Sequence, residues 1–168
     1  DINFELLDQI QAQFGDITDT NNLFNQGAAA LTSVAQSAED PTSNAGRQQV
    51  LSAMSSFISE GARISDKIQT IRGDADSRIA SGVNAVNDLL KSISDLNSTI
   101  SGAHVSGQDA TGAQTTQMQY IDQLSKLVDV GVSQNENGGV TVRTQSGMML
   151  AGDSYVTLSY QPQTNVDA

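Results

Sequence analysis

The 168 residues contain no cysteine and no tryptophan, only two prolines, and few aromatics, four phenylalanines and three tyrosines. Without cysteine there is no disulfide framework and no thiol chemistry; the composition suits a chain that crosses a narrow conduit unfolded, and equally many cytosolic ones. So few large core formers argue against a thick globular core, whereas thin helix pairs and a small sheet need less. Positive charge is also scarce. The net charge is −11, and residues 1 to 45 carry Asp1, Glu5, Asp8, Asp16, Asp19, Glu39 and Asp40 with no Lys or Arg. No basic patch exists to meet a phosphate backbone, so a nucleic-acid partner is excluded. No apolar run approaches the length of a membrane span, and no basic amphipathic face suggests a membrane surface.

What is present is helical periodicity. From about Gly46 to Ile100, Val50, Met54, Phe57, Gly61, Ile64, Ile68, Ile71 and Ala75 recur at alternating steps of four and three. Ile79, Val83, Val86, Leu90, Ile93, Asn97 and Ile100 then continue the seam after a four-residue step that shifts its phase. One helix of that length would span roughly 80 Å at the standard rise. Gly61, Gly73 and Gly82 interrupt it at roughly 1 kcal/mol each relative to Ala. One helix over about 44–100 is the preferred reading, with two helices meeting at a tight joint near Gly73 as the alternative. Asp74 with Arg78, Lys91 with Asp95, and Glu60 with Arg63 stand at ion-pair spacing and mark solvated faces.

Around this element the pattern predicts helices over about 2–14, 22–38 and 115–127. Ile2, Leu6, Leu7, Ile10 and Phe14 form the first stripe, which Gly15 stops; Thr20, Asn21 or Asn22 caps the second, whose apolar side is Leu23, Phe24, Ala28, Leu31, Val34 and Ala35. The alanine-rich middle of that helix permits a close neighbour. Pro41 precedes the long helix, which Thr42 or Ser43 caps. Residues 101–114, with three glycines, read as a flexible polar loop. From Val128 the period falls to two. Val128, Val130 and Val132, the turn NENGG at 135–139, and Val140 and Val142 predict a β-hairpin, followed by short strands to Leu150 and over 155–160. Residues from Gln161 read as a frayed or severed end, and the chain, opening without Met, as an excised piece. The fold class is therefore α+β: an elongated helical bundle on one very long helix, residues 1–127, followed by a small antiparallel β region, residues 128–168.

No constellation of catalytic type is visible. His104 is the sole histidine and falls in the loop without a carboxylate cluster. Asp74 and Asp76 stand two apart and do not share a helix face; Asp16 and Asp19 lack the ligand pattern of a calcium loop. SGQDATG follows no strand and lacks the lysine of a phosphate loop. Catalytic, cofactor and metal sites are all expected to be absent, and Asn84, Asn87 and Asn97, near the apolar stripe, either fix register from inside or meet water outside it, the latter being favoured.

The run LFNQGAAALTSVAQSAEDPTSNAGRQQVLSAMSSF, the segment LLKSISDLNSTI at 89–100 and the transition from LSKLVDV to GGVTV at 124–142 together resemble the middle of the first flagellar hook-associated protein family, over about residues 4 to 153. The resemblance implies a non-catalytic structural protein, exported by the flagellar secretion apparatus, sitting between hook and filament outside the cell. It implies a ring of about eleven copies, contacts with the hook protein and the neighbouring hook-associated protein, and an export chaperone. It also implies long helices parallel to the tubular axis, an outward-facing β domain beginning near Val128, and polymerisation through chain ends missing here, so that these residues alone stay monomeric. One departure is evident. Family members usually carry a DLLDQRD signature before LSKLVDV, whereas this chain has AQTTQMQYID at 113–122, with Gln117 in place of the arginine and Thr115 near an expected acid. A salt bridge made there in relatives is absent here, leaving that joint hydrogen-bonded or looser. Another flagellar axial protein, such as the third hook-associated protein, and a cell-surface adhesion module are the competing readings.

Overall fold

The computed structural model describes residues 2–15, 19 and 21–162. Among the described residues, four helices, α1 (Ile2–Ala12), α2 (Leu23–Glu39), α3 (Asn44–Ser106) and α4 (Thr111–Leu127), precede three strands, β1 (Val130–Gln134), β2 (Val140–Thr144) and β3 (Met149–Ala151). The class is α+β, with one very long helix and a small antiparallel sheet, as the periodicities require. Two compact units emerge, residues 1–75 and 76–168. The division falls where the apolar seam of α3 changes phase, although the helix itself passes through Gly73 without a break. Its side chains thus change partners where its backbone does not.

In the first unit, α1 ends in tightened turns, with Gln13 N donating to Ile10 O and Phe14 N to Gln11 O, and stops at Gly15, whose φ of 75° suits glycine. Asn22 caps α2, its Oδ1 accepting from Asn25 N at 2.7 Å. Thr20, Asp16 and residues 163–168 lie outside the described residues. Ser43 caps α3 through its Oγ, which accepts from Gly46 N at 3.2 Å. The buried face of α2 differs from the expectation. Ala30 and Ser33 are buried, while Phe24, Leu31 and Val34 stand in solvent. The reason is size. A Cβ on Gly27 would lie 3.2 Å from the Phe57 ring, so the missing side chain there admits that ring from α3, and the bulky stripe is left outside. On α3 the burial of Ile64 and Ile71 matches the seam, whereas Met54 and Phe57 remain partly exposed.

The second unit holds a conventional core. Val86, Leu90 and Ile93 of α3, Leu124 of α4, Val140 and Val142 of β2, and Leu150 and Ala151 of β3 pack together, with Tyr120, Ile121, Val130 and Leu158 around them. The sheet order is β1-β2-β3, antiparallel throughout, with Val132 opposite Val142 and a bulge at Val142/Arg143 against β3. Period-two alternation puts Val140 and Val142 inward and leaves Arg143 outside.

Two further expectations are corrected. Residues 101–114 are not a flexible loop: α3 runs on to Ser106 and α4 begins at Thr111. Ile100, only 1% exposed, holds the helix against its unit, and the helix closes on Gly107 (φ 67°), with Gln108 N donating to Ala103 O and Gly107 N to His104 O. Asp109 then accepts from the N–H and hydroxyl of Thr111 to open α4, bonds that hold its carboxyl below the ordinary value. Nor is 155–160 a strand. It meets the sheet at one bridge, Ala151 with Tyr155, and by the Val156 N bond to Leu150 O, before its backbone turns to a side chain of α3.

The glycines of α3 at 61, 73 and 82 have nothing within 4 Å of a built Cβ. Gly73→Ala and Gly82→Ala are each expected to stabilise the helix by about 0.5–1 kcal/mol, seen as a higher urea midpoint by circular dichroism; a lowered midpoint would show that the helix needs those glycines.

Candidate functional site

The polar centre of the second unit is Asn97, 3% exposed and set within the apolar seam of α3. Its Nδ2 donates to Val140 O at 2.7 Å and Gly152 O at 2.8 Å. Its Oδ1 accepts from Val140 N at 2.7 Å and Gln117 Nε2 at 2.9 Å. One carboxamide thus uses both donors and both acceptor positions, and ties α3 to α4, to the start of β2 and to the turn after β3. Gln117, also 3% exposed, donates further to Ile93 O at 3.3 Å. The approach is so close that a Cβ on Gly139 would lie 2.8 Å from Asn97 Oδ1. Position 139 therefore requires glycine on steric grounds.

Asn87, one face along α3, works the same way on residues 155–160. Its Nδ2 donates to Leu158 O at 2.9 Å and its Oδ1 accepts from Leu158 N at 2.8 Å, the two bonds one residue would receive from a neighbouring strand. Farther back, Tyr160 donates its hydroxyl to Asp76 Oδ1. That bond holds the phenol above its ordinary pKa. Asn84 is exposed. Of the three asparagines, two therefore act from inside, where solvent was favoured, and one meets water.

The ion pairs are peripheral. Arg63 meets Glu60 at 2.7 Å and also donates to Gln13 O at 3.0 Å, closing the carbonyl end of α1. The Arg63 hydrogen bond holds the Glu60 carboxyl below its ordinary value. Lys91 with Asp95 and Lys126 with Asp122, each at 2.7 Å, lie in solvent. His104 lies in the last turn of α3 rather than in a loop. Asp74 is exposed and Asp76 half-buried beside Tyr160. Among the described residues, no group of three or more His, Cys, Asp or Glu is placed to hold a metal, and no helix is long and apolar enough to cross a membrane.

The periodicity placed Asn97 correctly, between Ile93 and Ile100 in the seam, but an amide there reads equally as a near miss. Gln117 carried a weaker signal: it stands at helical spacing from Ile121 and Leu124. Its partner lies twenty residues earlier, which periodicity does not show. Where the resemblance expects an arginine and a salt bridge, the joint is a neutral amide-to-amide hydrogen bond.

The carboxamides of Asn97, Gln117 and Asn87, bonded across α3, α4, the sheet and residues 155–160, make this a structural module, one whose side chains fix elements against one another. The family model described as the flagellar hook-associated protein FlgK helical domain matches residues 7–168, and the chain belongs to that family. It is a flagellar hook-associated structural protein. No curated protein matches the chain.

Asn97→Ala leaves the Val140 N–H and the Gln117 amide buried without that acceptor, and is expected to destabilise the second unit by about 2–4 kcal/mol. Asn84→Ala, in solvent, should stay within about 0.5 kcal/mol of the parent. Equal effects in urea unfolding would remove the central role of Asn97. Tyr160 gives a pH signature. Its folded pKa is raised, so the stabilisation is complete below the unfolded phenol value and is lost as pH rises through the folded one. Amide exchange in 155–160, corrected for its intrinsic pH dependence, should therefore accelerate on the alkaline side, and Tyr160→Phe should abolish that acceleration.

Proposed function

We propose that this chain is the helical domain of the hook–filament junction protein, a non-catalytic adaptor between two tubular segments of the bacterial flagellum. The family match over residues 7–168 carries this reading. On it, residues 1–127 form the helical part and residues 128–168 begin an outward-facing β domain. The full-length protein is exported by the flagellar apparatus with the help of a chaperone and assembles as a ring of about eleven copies. It meets the hook protein on one side and the next hook-associated protein on the other. The two amide junctions support a mechanical role. Bonds that use both ends of a carboxamide specify a single register, which an adaptor between mismatched tubes needs more than it needs a reactive group.

The first unit supports assembly from another direction. Residues 21–38 contain no charged side chain in a protein of net charge −11. Phe24 and Leu31 on α2 are 70% and 75% exposed, and Leu51 and Ile58 on α3 are 70% and 67% exposed. An uncharged surface with this much apolar area is expected to be covered in an assembly. For the 168 residues alone the expected state is a monomer.

Immunogold labelling of purified flagella with an antibody against this chain is the deciding experiment. One band at the border of hook and filament is expected. Label along the filament would assign another axial component, and label on the cell surface but not on flagella would overturn the flagellar reading in favour of an adhesion module. Because the chain has no cysteine, Leu31→Cys provides a unique thiol. It should react with maleimide rapidly in the isolated protein and at least about tenfold more slowly in assembled flagella. Sedimentation of the isolated chain at micromolar concentration should show a monomer; a ring would show that these residues suffice for assembly.

A further inference from the structure

The hairpin turn between β1 and β2 contains the one Asn–Gly step in the sequence, Asn137–Gly138. Asparagine followed by glycine is the dipeptide most prone to cyclise, because glycine offers no side chain to hinder attack by its nitrogen. The turn also touches the buried amide junction: Gly139 abuts Asn97, and Val140 accepts one hydrogen bond from that carboxamide at its O and donates another to it from its N. Chemistry at Asn137 therefore acts directly on the contact that sets the register of β2.

In the folded protein the reacting groups are occupied. Gly138 N, which must lose its proton and attack, donates to Asn135 O at 3.0 Å. The Asn137 carboxamide is held at both ends, with Nδ2 donating to Ser101 Oγ on α3 at 3.2 Å and Oδ1 accepting from Gly139 N at 3.2 Å. Gly138 itself adopts a φ of 84°, the left-handed position that completes a three-residue hairpin loop. All three bonds are of ordinary or long length. They constrain the step without closing it off, since local opening of a turn requires far less free energy than global unfolding.

We infer that Asn137 is a site of spontaneous deamidation, held in check by the turn and by Ser101. In the open turn the Gly138 nitrogen attacks Cγ of Asn137. The Cγ–Nδ2 bond breaks, Nδ2 leaves as ammonia with the proton given up by Gly138, and a succinimide ring results. Water then opens the ring at one of its two carbonyls, giving aspartate or isoaspartate, with no oxidant or reductant involved. Either product replaces a neutral donor to Ser101 with a carboxylate. Isoaspartate also lengthens the backbone by one methylene before Gly139, pushing the strand away from its position against Asn97.

The test follows Asn137 by peptide mapping and mass spectrometry during prolonged incubation at neutral pH and physiological temperature. It compares the folded protein, the same chain held unfolded in urea, Ser101→Ala and Ser101→Thr. Conversion of Asn137 is expected to be fastest in the unfolded chain and at least about tenfold slower in the folded one. Ser101→Ala should lie between them, with Ser101→Thr, which keeps the hydroxyl, near the parent. If Asn137 is not converted even when unfolded, the site is disproved. Equal rates in folded and unfolded chains would disprove protection by the fold, and equal rates in Ser101→Ala and the parent would remove Ser101 from it. Circular dichroism of each variant separates a freed turn from a general loss of structure.

Discussion

Burying a carboxamide is unfavourable unless its hydrogen-bonding positions are filled, and at Asn97 all four are. That constraint organises the second unit. A slip of β2 by one residue along α3 would leave a donor and an acceptor unpaired in the interior and turn Val140 and Val142 away from the core. Apolar packing by Leu90, Ile93 and Leu124 supplies the larger driving force, but it is tolerant of small displacements. The amide is not. The glycine at 139 follows from the same contact, because no larger residue fits against the Asn97 oxygen.

The first unit is built on a different rule. Gly27 of α2 admits the Phe57 ring of α3, Ala30, Ser33, Ile64 and Ile71 are buried, and Phe24, Leu31, Leu51 and Ile58 stay outside. A ring seated on a glycine here and amide bonding in the second unit are two ways of joining helices with little aromatic mass. The first leaves bulky side chains free for other contacts. The second uses polar atoms inside and needs no further partner. A chain poor in phenylalanine, tyrosine and tryptophan has reason to use both.

Much of this was legible in the sequence because α3 writes its own signal. Val86, Leu90, Ile93, Asn97 and Ile100 are spaced for one helix face and are all buried, and the change to period two at Val128 marks the sheet. The hairpin turn at 135–139 was equally plain. Where reading failed, a local signal was overruled by a distant contact. Gly102 and Gly107 suggested a loop, yet the anchoring of Ile100 carries the helix on until Gly107 closes it. Phe24 and Leu31 suggested a buried face, yet the buried residue is Ala30, and Gly27 receives the Phe57 ring. Residues 155–160 have the composition of a strand, but their partner is the Asn87 side chain, and no pattern within the segment announces that. The amide junction was half visible: Asn97 stood in the seam, while Gln117 and the carbonyls of 140 and 152 are brought to it only by the fold.

Asn87 has a consequence for how the sheet ends. A strand that receives a neighbouring strand passes the pattern on, since the newcomer presents its own outer row of N–H and C=O groups to whatever comes next. A carboxamide satisfies the same two groups of Leu158 and presents nothing beyond them. It acts as a chain terminator for β pairing at that residue, removing one place where another molecule could add a strand. A side chain that imitates a strand without being one is thus a means of closing a sheet edge against further pairing.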